Sequence, residues 1–228
     1  MKGRRPESAV AAQFQDIRLL DPADLDAVLA LQKRVRESLP DPSLLADDPP
    51  EFFARHLSRP NLIGGIERQG RLVAFGVLAF AVPAAQNFGT HLAFAPPRLA
   101  TVGQLDGAVV DPDFRSAGLH ARLVRWRIGE AIARQCRDVL STAAPLNVAS
   151  WRNMVRYGMH AVALRTLFGG LQRLLLHRDL LHPRVPDRAA ARICPLEAEA
   201  LTAEFAQGRI GVAVAGRGML MAPFVKES

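Results

Sequence analysis

The sequence holds few of the residues that cross-link a fold or span a membrane. It has two cysteines, Cys136 and Cys194, which are too few for a disulfide framework, and neither has a second cysteine at zinc-site spacing. We interpret both as buried apolar side chains. The longest apolar run, Leu72 to Val82, has 11 residues, whereas a membrane-spanning helix needs about 20. The run predicts a core strand, and we expect no membrane partner.

Several signatures of nucleotide binding and hydrolysis are missing as well. No GxxxxGK[ST] and no GxGxxG occurs, which disfavours the P-loop and dinucleotide-binding folds. There is no GxSxG elbow, which disfavours a serine hydrolase. His177 and His182 lack a third ligand at metal spacing, so we expect no metal cofactor.

A strong positive charge is what the composition does contain. The net charge is +7 over 228 residues, which favours anionic partners, nucleic acids and phosphorylated cofactors alike. The arginine-rich stretch Gly118 to Arg137 has only Trp126 as an aromatic neighbour, whereas base-stacking modules interleave several aromatics. We interpret it as a solvated helix face and disfavour nucleic acid. No apolar segment follows the basic Lys2, Arg4 and Arg5, so we expect no secretory signal and a cytoplasmic protein.

The hydrophobic pattern predicts a mixed order of helices and strands, that is, an α/β fold. Helices are predicted to start near Leu25, Pro50, Ala117 and Asn147, with a long loop over Pro83 to Thr101. The predicted strands are Ile17 to Leu20, Leu62 to Glu67, Leu72 to Val82, Val102 to Val110, Val139 to Ala143, Ala161 to Phe168 and Leu171 to His177.

The chain is expected to hold one main domain and an appendage. Residues 1–182 carry the alternating elements. Residues 183–228 open with prolines and arginines and then predict a helix and a strand or hairpin. So short a piece buries little core alone. We therefore expect this C-terminal extension to pack on the domain or on a partner subunit.

The segment after the strand Val102 to Val110 predicts an anion site. It runs from Arg115 to Ala121 and leads directly into the long helix. Small residues and glycine let a backbone approach a ligand, and the amides and dipole of a helix N-terminus favour an anion. An ordinary strand-to-helix turn with one glycine would look the same, so these residues alone leave both readings open.

Two motifs in this order resemble the GNAT superfamily of acetyl-CoA-dependent N-acetyltransferases. The first, an apolar strand followed by V-x-P-x-[FY]-R and [QR]-x-x-G-x-[GA], is matched by VVDPDFRSAGLH from Val109 to His120. The second, N-x-x-[AS]-x-x-x-Y-x-x-x-G-F, is matched from Asn147 to Met159. The order of elements agrees from about Phe14 to Asp179.

The resemblance implies a GNAT-like central, mostly antiparallel sheet, splayed between two parallel strands and flanked by helices. It implies acetyl-CoA as co-substrate, with the pantetheine beside Val109 and Val110 and its far side contacted by Asn147. It further implies direct attack by a primary amine of a small molecule or peptide, and it leaves a homodimer open. The pyrophosphate would lie on the amides of Arg115, Ser116, Ala117, Gly118, Leu119 and His120.

Asp106 is the predicted general base. By strand alternation Gln104, Asp106, Ala108 and Val110 share a face, and the family places its base at positions matching Gln104 or Asp106. Only Asp106 can take a proton. A carboxyl pKa near 3.9 is low for this role unless burial raises it. A structural or amine-binding carboxylate therefore remains an alternative, and the loop Pro83 to Thr101 is expected to shape the acceptor pocket.

The sequence departs from the family pattern at two positions. His120 stands where the family has Gly or Ala. Met154 stands where its tyrosine protonates the departing thiolate, and the only tyrosine, Tyr157, lies three residues later. These departures leave the general acid unassigned, and they keep open an acyl-CoA-binding regulatory protein with little or no turnover.

Overall fold

A computed structural model describes residues 13–225. The chain forms two compact units: unit 1 comprises the described part of Met1–Pro40 together with Asp47–Arg137, and unit 2 comprises Asp41–Ala46 together with the described part of Asp138–Ser228. The basic N-terminal residues Lys2, Arg4 and Arg5 lie outside the described residues. Within residues 13–225, every helix is too short or too polar to cross a membrane.

Unit 1 is a four-stranded antiparallel sheet with helices packed on it. The strands pair in the order β1, β2, β3, β4. The strands are β1 (Ile17–Leu19), β2 (Leu62–Arg68), β3 (Arg71–Ala79) and β4 (Val102–Val110), and the helices are α1 (Leu25–Glu37), α2 (Pro50–His56), α3 (Pro96–Leu99) and α4 (Leu119–Ala133).

The residues between β2 and β3 explain the tight turn that joins these strands. Gln69 and Gly70 join β2 to β3 and both have positive φ, 54° and 72°, as a two-residue hairpin loop requires. Behind the hairpin, Leu119 and Leu123 of α4 pack on Val73 of β3 in a buried apolar cluster. This packing fixes the start of α4 against the sheet.

Unit 2 is a six-stranded antiparallel sheet to which the C-terminal extension adds three strands. The order is β5, β7, β6, β9, β10, β8. The extension joins the sheet where Ala161 of β6 pairs with Gly211 of β9. A Cβ at Gly211 would lie 2.1 Å from Sδ of Met219 and 3.0 Å from the Ala161 Cβ, so a side chain here would force these neighbours to move. The elements are β5 (Asp138–Ala143), α5 (Val148–Arg156), β6 (His160–Leu167), β7 (Leu171–Asp179), β8 (Arg192–Cys194), α6 (Ala198–Ala206), β9 (Ile210–Ala215) and β10 (Gly218–Ala222).

The predicted class, mixed α/β with mostly antiparallel strands and flanking helices, is confirmed. Most predicted boundaries differ by one or two residues, and the largest difference is that β3 ends at Ala79 rather than at Val82. Ala81 has a φ of 50°, which an extended strand does not accommodate. Residues 83–101 form a loop containing two 3₁₀ turns and the short helix α3.

Candidate functional site

The turn between β4 and α4 presents an open helix N-terminus. Ser116 and Gly118 both have a left-handed φ, 68° and 76°, and residues 115–118 are exposed. The first backbone hydrogen bond of the helix runs from the amide of Arg122 to the Gly118 carbonyl, at 3.0 Å. Amides before Arg122 therefore have no partner inside the helix. A helix of 15 residues adds its dipole, so the turn suits a phosphate.

Buried charge holds this turn in place. The Asp111 side chain is 1% exposed, and its Oδ1 accepts a hydrogen bond from the amide of Asp113 at 2.9 Å. Its Oδ2 lies 3.0 Å from Nε of Arg34 and 3.4 Å from Nη2 of Arg71. Arg34 also donates to Asp113 at 2.6 Å. The start of the candidate phosphate site is thus fixed before any ligand binds.

Two basic side chains at this site, Arg115 and His120, differ in their surroundings. Arg115 donates from Nη2 to Oγ of Ser38 at 2.7 Å, which directs its guanidinium toward the end of α1. His120 is partly buried, and burial together with the charge of Arg127 lowers the pKa of His120 to about 3. His120 is therefore neutral near pH 7, and any contact it makes with a phosphate uses a neutral imidazole.

A β-bulge interrupts β4 beside Asp106. Ala108 pairs with Gly76, whereas Leu105 pairs with Leu78, so Asp106 and Gly107 together face the single residue Val77. The bulge also corrects the prediction that Gln104, Asp106, Ala108 and Val110 share one face. Because the extra residue inverts the alternation, Ala108 and Val110 lie on the face of Leu105, and Gln104 lies on the opposite face.

A buried arginine of α4 donates hydrogen bonds to the backbone carbonyls at the bulge. Arg127 is 1% exposed, and its Nη1 donates to the Asp106 carbonyl at 3.0 Å and to the Val77 carbonyl at 3.3 Å. A Cβ at Gly76 would lie 3.1 Å from Nε of Arg127, so a glycine in β3 leaves room for this side chain. Burial lowers the pKa of Arg127 to about 10.

Asp106 has the electrostatics of a base that works near neutral pH. Burial is the main cause that raises the pKa of Asp106 to about 7, and the charge of Asp48 adds to it. Nε2 of Gln104 opposes the shift by donating to both carboxylate oxygens, at 3.2 and 3.3 Å. The charge of Arg127 opposes it too. The condition that the sequence set for a base, a raised pKa, is therefore met.

Asp48 was missed by the sequence analysis. Burial and the charge of Asp47 raise the pKa of Asp48 to about 6, and its Oδ2 lies 3.0 Å from where a Cβ of Gly107 would be. Its backbone carbonyl accepts from Nε2 of Gln32 at 2.8 Å. In the sequence Asp47-Asp48-Pro49-Pro50 looks like a helix start, and only the fold brings it to the bulge.

Unit 2 carries the remaining predicted residues. Asn147 caps α5, because its Oδ1 accepts from the amide of Ser150 at 3.2 Å, and its Nδ2 donates to the Leu44 carbonyl at 3.5 Å. Met154 is 3% exposed, so it fills core space. Tyr157 is partly buried, and its carbonyl accepts from Arg178 at 2.8 Å. Among residues 13–225 there is no group of three or more His, Cys, Asp or Glu that could hold a metal ion.

The strand, turn and helix described above lie within the part of the chain that matches a known protein family. The model of the acetyltransferase (GNAT) family matches residues 28–159, more than half of the chain. The chain therefore belongs to the GNAT acetyltransferase family. No curated protein matches the sequence.

Solved structures with this fold include several N-acetyltransferases. A ribosomal-protein-alanine N-acetyltransferase from Brucella melitensis is 18% identical, with a TM-score of 0.54 over 72% of this chain and 99% of that one. The ribosomal-protein-S18-alanine N-acetyltransferase from Escherichia coli is 18% identical, with a TM-score of 0.53 over 71% and 90%. Salmonella typhimurium yncA, solved with its cofactor acetyl-CoA, is 15% identical, with a TM-score of 0.55 over 73% and 96%. At these identities the likeness shows the fold alone.

Proposed function

We propose that this chain transfers an acetyl group from acetyl-CoA to a primary amine by direct attack. The observation that carries the proposal is the composition of one continuous segment. Within β4, the following turn and α4, a carboxyl group with a pKa near 7 is followed by an exposed, preformed helix N-terminus. Family membership supports the acetyltransferase class.

The residues of the turn fit a pyrophosphate. In this proposal the amides of Arg115, Ser116, Ala117, Gly118, Leu119 and His120 donate to it, while Val109 and Val110 meet the pantetheine and Asn147 contacts its far side. The open backbone supports the role of the amides that follow Arg115, since donors at a helix start need no rearrangement before binding. The amide of Arg115 already donates to the Pro112 carbonyl at 3.3 Å, so it would have to share this bond or release it. Asn147 uses both ends of its amide within unit 2, which fixes the side chain in place for that contact.

Asp106 is the proposed base. The acceptor nitrogen must lose a proton as its lone pair forms the new C–N bond, and the carboxylate of Asp106 receives that proton, directly or through a water. The thioester's C–S bond breaks, and its electron pair leaves on sulfur. Thiols ionise near pH 8.5, so the sulfur leaves as a thiolate more easily than an alkoxide would. The absence of a tyrosine at Met154 is therefore compatible with turnover.

A second candidate function rests on that same position. With a buried methionine at Met154 and a neutral His120, the site could bind an acyl-CoA and act as a regulatory protein. In that case Asp106 would be a structural carboxylate. The two functions share the cofactor site and differ in turnover.

Calorimetric titration with acetyl-CoA, followed by a CoA-release assay, separates them. The amine panel should contain a polyamine, a lysine peptide, a peptide beginning with alanine, aromatic amines and free amino acids, since the acceptor is a small molecule or a peptide. Binding with turnover on at least one amine is the expected result. Binding without turnover on any of them would favour the regulatory function, and no binding would reject both.

A further inference from the structure

Gln104 of β4 is buried, and its side-chain amide joins two parts of unit 1. The residue is 3% exposed. On one side its amide contacts the carboxylate of Asp106, and on the other it contacts the backbone of Gln86 and Phe88 in the loop between β3 and β4. The same amide therefore contacts the proposed base and the loop that the sequence predicts to shape the acceptor pocket.

The backbone of this loop determines which way the Gln104 amide points. The amide of Phe88 donates to Oε1 of Gln104 at 2.9 Å, and Nε2 of Gln104 donates to the Gln86 carbonyl at 3.3 Å. A backbone N–H is satisfied only by the oxygen end of a side-chain amide, and a backbone carbonyl only by the nitrogen end. Because the loop supplies one group of each kind, it selects a single orientation of the amide.

The selected orientation directs an N–H group toward Asp106. Nε2 carries two hydrogens: one serves the Gln86 carbonyl, and the other is shared between the two carboxylate oxygens of Asp106, at 3.2 and 3.3 Å. An amide nitrogen cannot accept a hydrogen bond, so the contact favours the ionised carboxylate over the protonated carboxyl group. An amide turned over would present Oε1 instead, which repels a carboxylate and accepts from a carboxyl O–H.

Charged groups on the neighbouring elements act on the same carboxyl group. Burial disfavours its ionised form most strongly, and Asp48, which precedes α2, disfavours it further. Arg127 of α4 and Arg55 of α2 favour the ionised form. These groups lie outside the loop between β3 and β4, so Gln104 is the residue that connects the loop to this balance of charges.

Side-chain hydrogen bonds hold the contacting part of the loop in place. Asn87 is 1% exposed, its Oδ1 accepts from the amide of Gly89 at 2.9 Å, and its Nδ2 donates to the Leu99 carbonyl at 3.1 Å. On either side of this segment, Ala81 and Ala93 have a left-handed φ of 50° and 56°, which residues with a Cβ adopt only where their surroundings impose it. The position of the segment therefore depends on the Asn87 amide and on the contacts to β4.

We propose that Gln104 is a positioning residue that keeps Asp106 ionised while residues 86–88 of the loop are seated on β4. When this segment is displaced, the amide is released and Asp106 takes up a proton from solvent. The proposal rests on the acetyl transfer proposed above, because it describes how the loop regulates the base of that reaction.

An NMR titration tests the proposal without turnover. The full chain is labelled at its aspartate carboxyl carbons, and Asp106→Asn assigns the Asp106 signal. Gln104→Met removes both ends of the amide and should raise the pKa of Asp106 by about one unit, because the lost donor stabilised the ionised form. Gln104→Asn is a milder variant, whose shorter amide cannot reach the loop and Asp106 together, and it should raise the pKa too. The control is Gln172→Met, which removes an exposed glutamine of β7 and should leave the titration of Asp106 unchanged.

A second variant tests the part played by the loop. Asn87 bonds to Gly89 and Leu99 rather than to Asp106, so Asn87→Ala loosens the segment without removing a contact of the carboxylate. It should raise the pKa of Asp106 by less than about one unit, because the loosened segment releases the Gln104 amide for part of the time. Asn153→Ala removes a matched amide from α5 and should cause no shift.

The pH dependence of CoA release gives a further readout. If Gln104→Met raises the pKa of Asp106 by about one unit, kcat should fall about fivefold at about pH 7 and recover at about pH 9, where the carboxyl group is ionised again. A purely structural defect would lower kcat at both pH values.

The outcomes separate this proposal from acetyl transfer itself. An Asp106 signal that titrates identically in the wild type and in Gln104→Met would contradict the positioning role, even in a chain that acetylates amines. A shift in Gln104→Met with none in Asn87→Ala would contradict the control by the loop. Both shifts in a chain that turns over no amine would uphold the role of Gln104 and reject the transfer.

Discussion

The turn after β4 and the bulge within β4 contain aspartates only five residues apart, and they use charge in opposite ways. Asp111 is 1% exposed and lies between two arginines, Arg34 and Arg71. Asp106 lies near a second carboxylate, Asp48, and burial raises the pKa of Asp106 to about 7. Asp111 pairs with two arginines and holds the backbone in shape, whereas Asp106 has a pKa at which a carboxyl group can exchange a proton near neutral pH.

In the proposed function, this difference lets one segment serve both as an anion site and as the site of the base. Paired charge near the turn leaves the amides of α4 as the groups that a phosphate would meet. Incomplete pairing near the bulge leaves a carboxylate whose protonation changes in the working pH range. Substitutions of Asp106, Asp48 and Arg127 test whether incomplete charge pairing gives Asp106 this role.

The largest expected effect comes from Asp106→Asn. General base catalysis typically contributes 10²- to 10⁴-fold, so kcat should fall by about 10²-fold or more, while the affinity for acetyl-CoA should hardly change. Initial rates of CoA release and calorimetry measure both. Asp26→Asn makes the same change at an exposed position of α1 and should leave kcat unchanged. An active Asp106→Asn variant would make this aspartate structural, like Asp111.

A smaller effect is expected from Asp48→Asn on the pH profile. If Asp106 is the base, kcat depends on its carboxylate and should fall as the pH drops through about 7, which forms the acidic limb of the pH–rate profile. The negative charge of Asp48 raises the pKa of Asp106, and its removal should move the acidic limb to lower pH by on the order of one unit. Asp26→Asn is again the control, because Asp26 is exposed and is not among the causes of either the Asp106 or the Asp48 shift. An unmoved limb would show that the two carboxylates are not coupled.

The smallest effect, of opposite sign, is expected from Arg127→Met. The charge of Arg127 lowers the pKa of Asp106, so its loss should move the same limb to higher pH, by less than about one unit. Arg125→Met removes an exposed arginine of the same helix and should leave the limb in place. Arg127→Lys keeps the charge but lacks the guanidinium whose Nη1 donates to both carbonyls. If the lysine variant moved the limb as far as methionine does, the bulge geometry would matter more than the charge.

The parts of this molecule that depend on local backbone chemistry could be predicted from the sequence. The hairpin at Gly70 and the strand, turn and helix around Gly118 follow from residues within a few positions of each other. The bulge could not be predicted, because it appears only when β4 is placed in register with β3. For the same reason strand alternation put Ala108 and Val110 on the wrong face.

Residues brought together from distant parts of the chain were out of reach as well. Asp48 and Arg127 meet Asp106 through tertiary packing, and each looks ordinary in its own segment. The loop residues Gln86 and Phe88 meet Gln104 in the same way. No spacing rule connects these stretches, whereas the acetyltransferase motifs are short and ordered along the chain.

The most direct measurement for the central claim is calorimetric binding of acetyl-CoA and acetyl-pantetheine, which lacks the phosphates. Gly118→Ala and Gly208→Ala are the matched variants, because both glycines have a left-handed φ, +76° and +72°, with nothing within 4 Å of an added Cβ. Acetyl-CoA should bind the wild type at least about tenfold more tightly than acetyl-pantetheine. A left-handed alanine costs about 1–2 kcal/mol, so Gly118→Ala should narrow that gap several-fold, and Gly208→Ala should preserve it. Equal binding of the two donors, or equal effects of the two variants, would contradict a phosphate site at the start of α4.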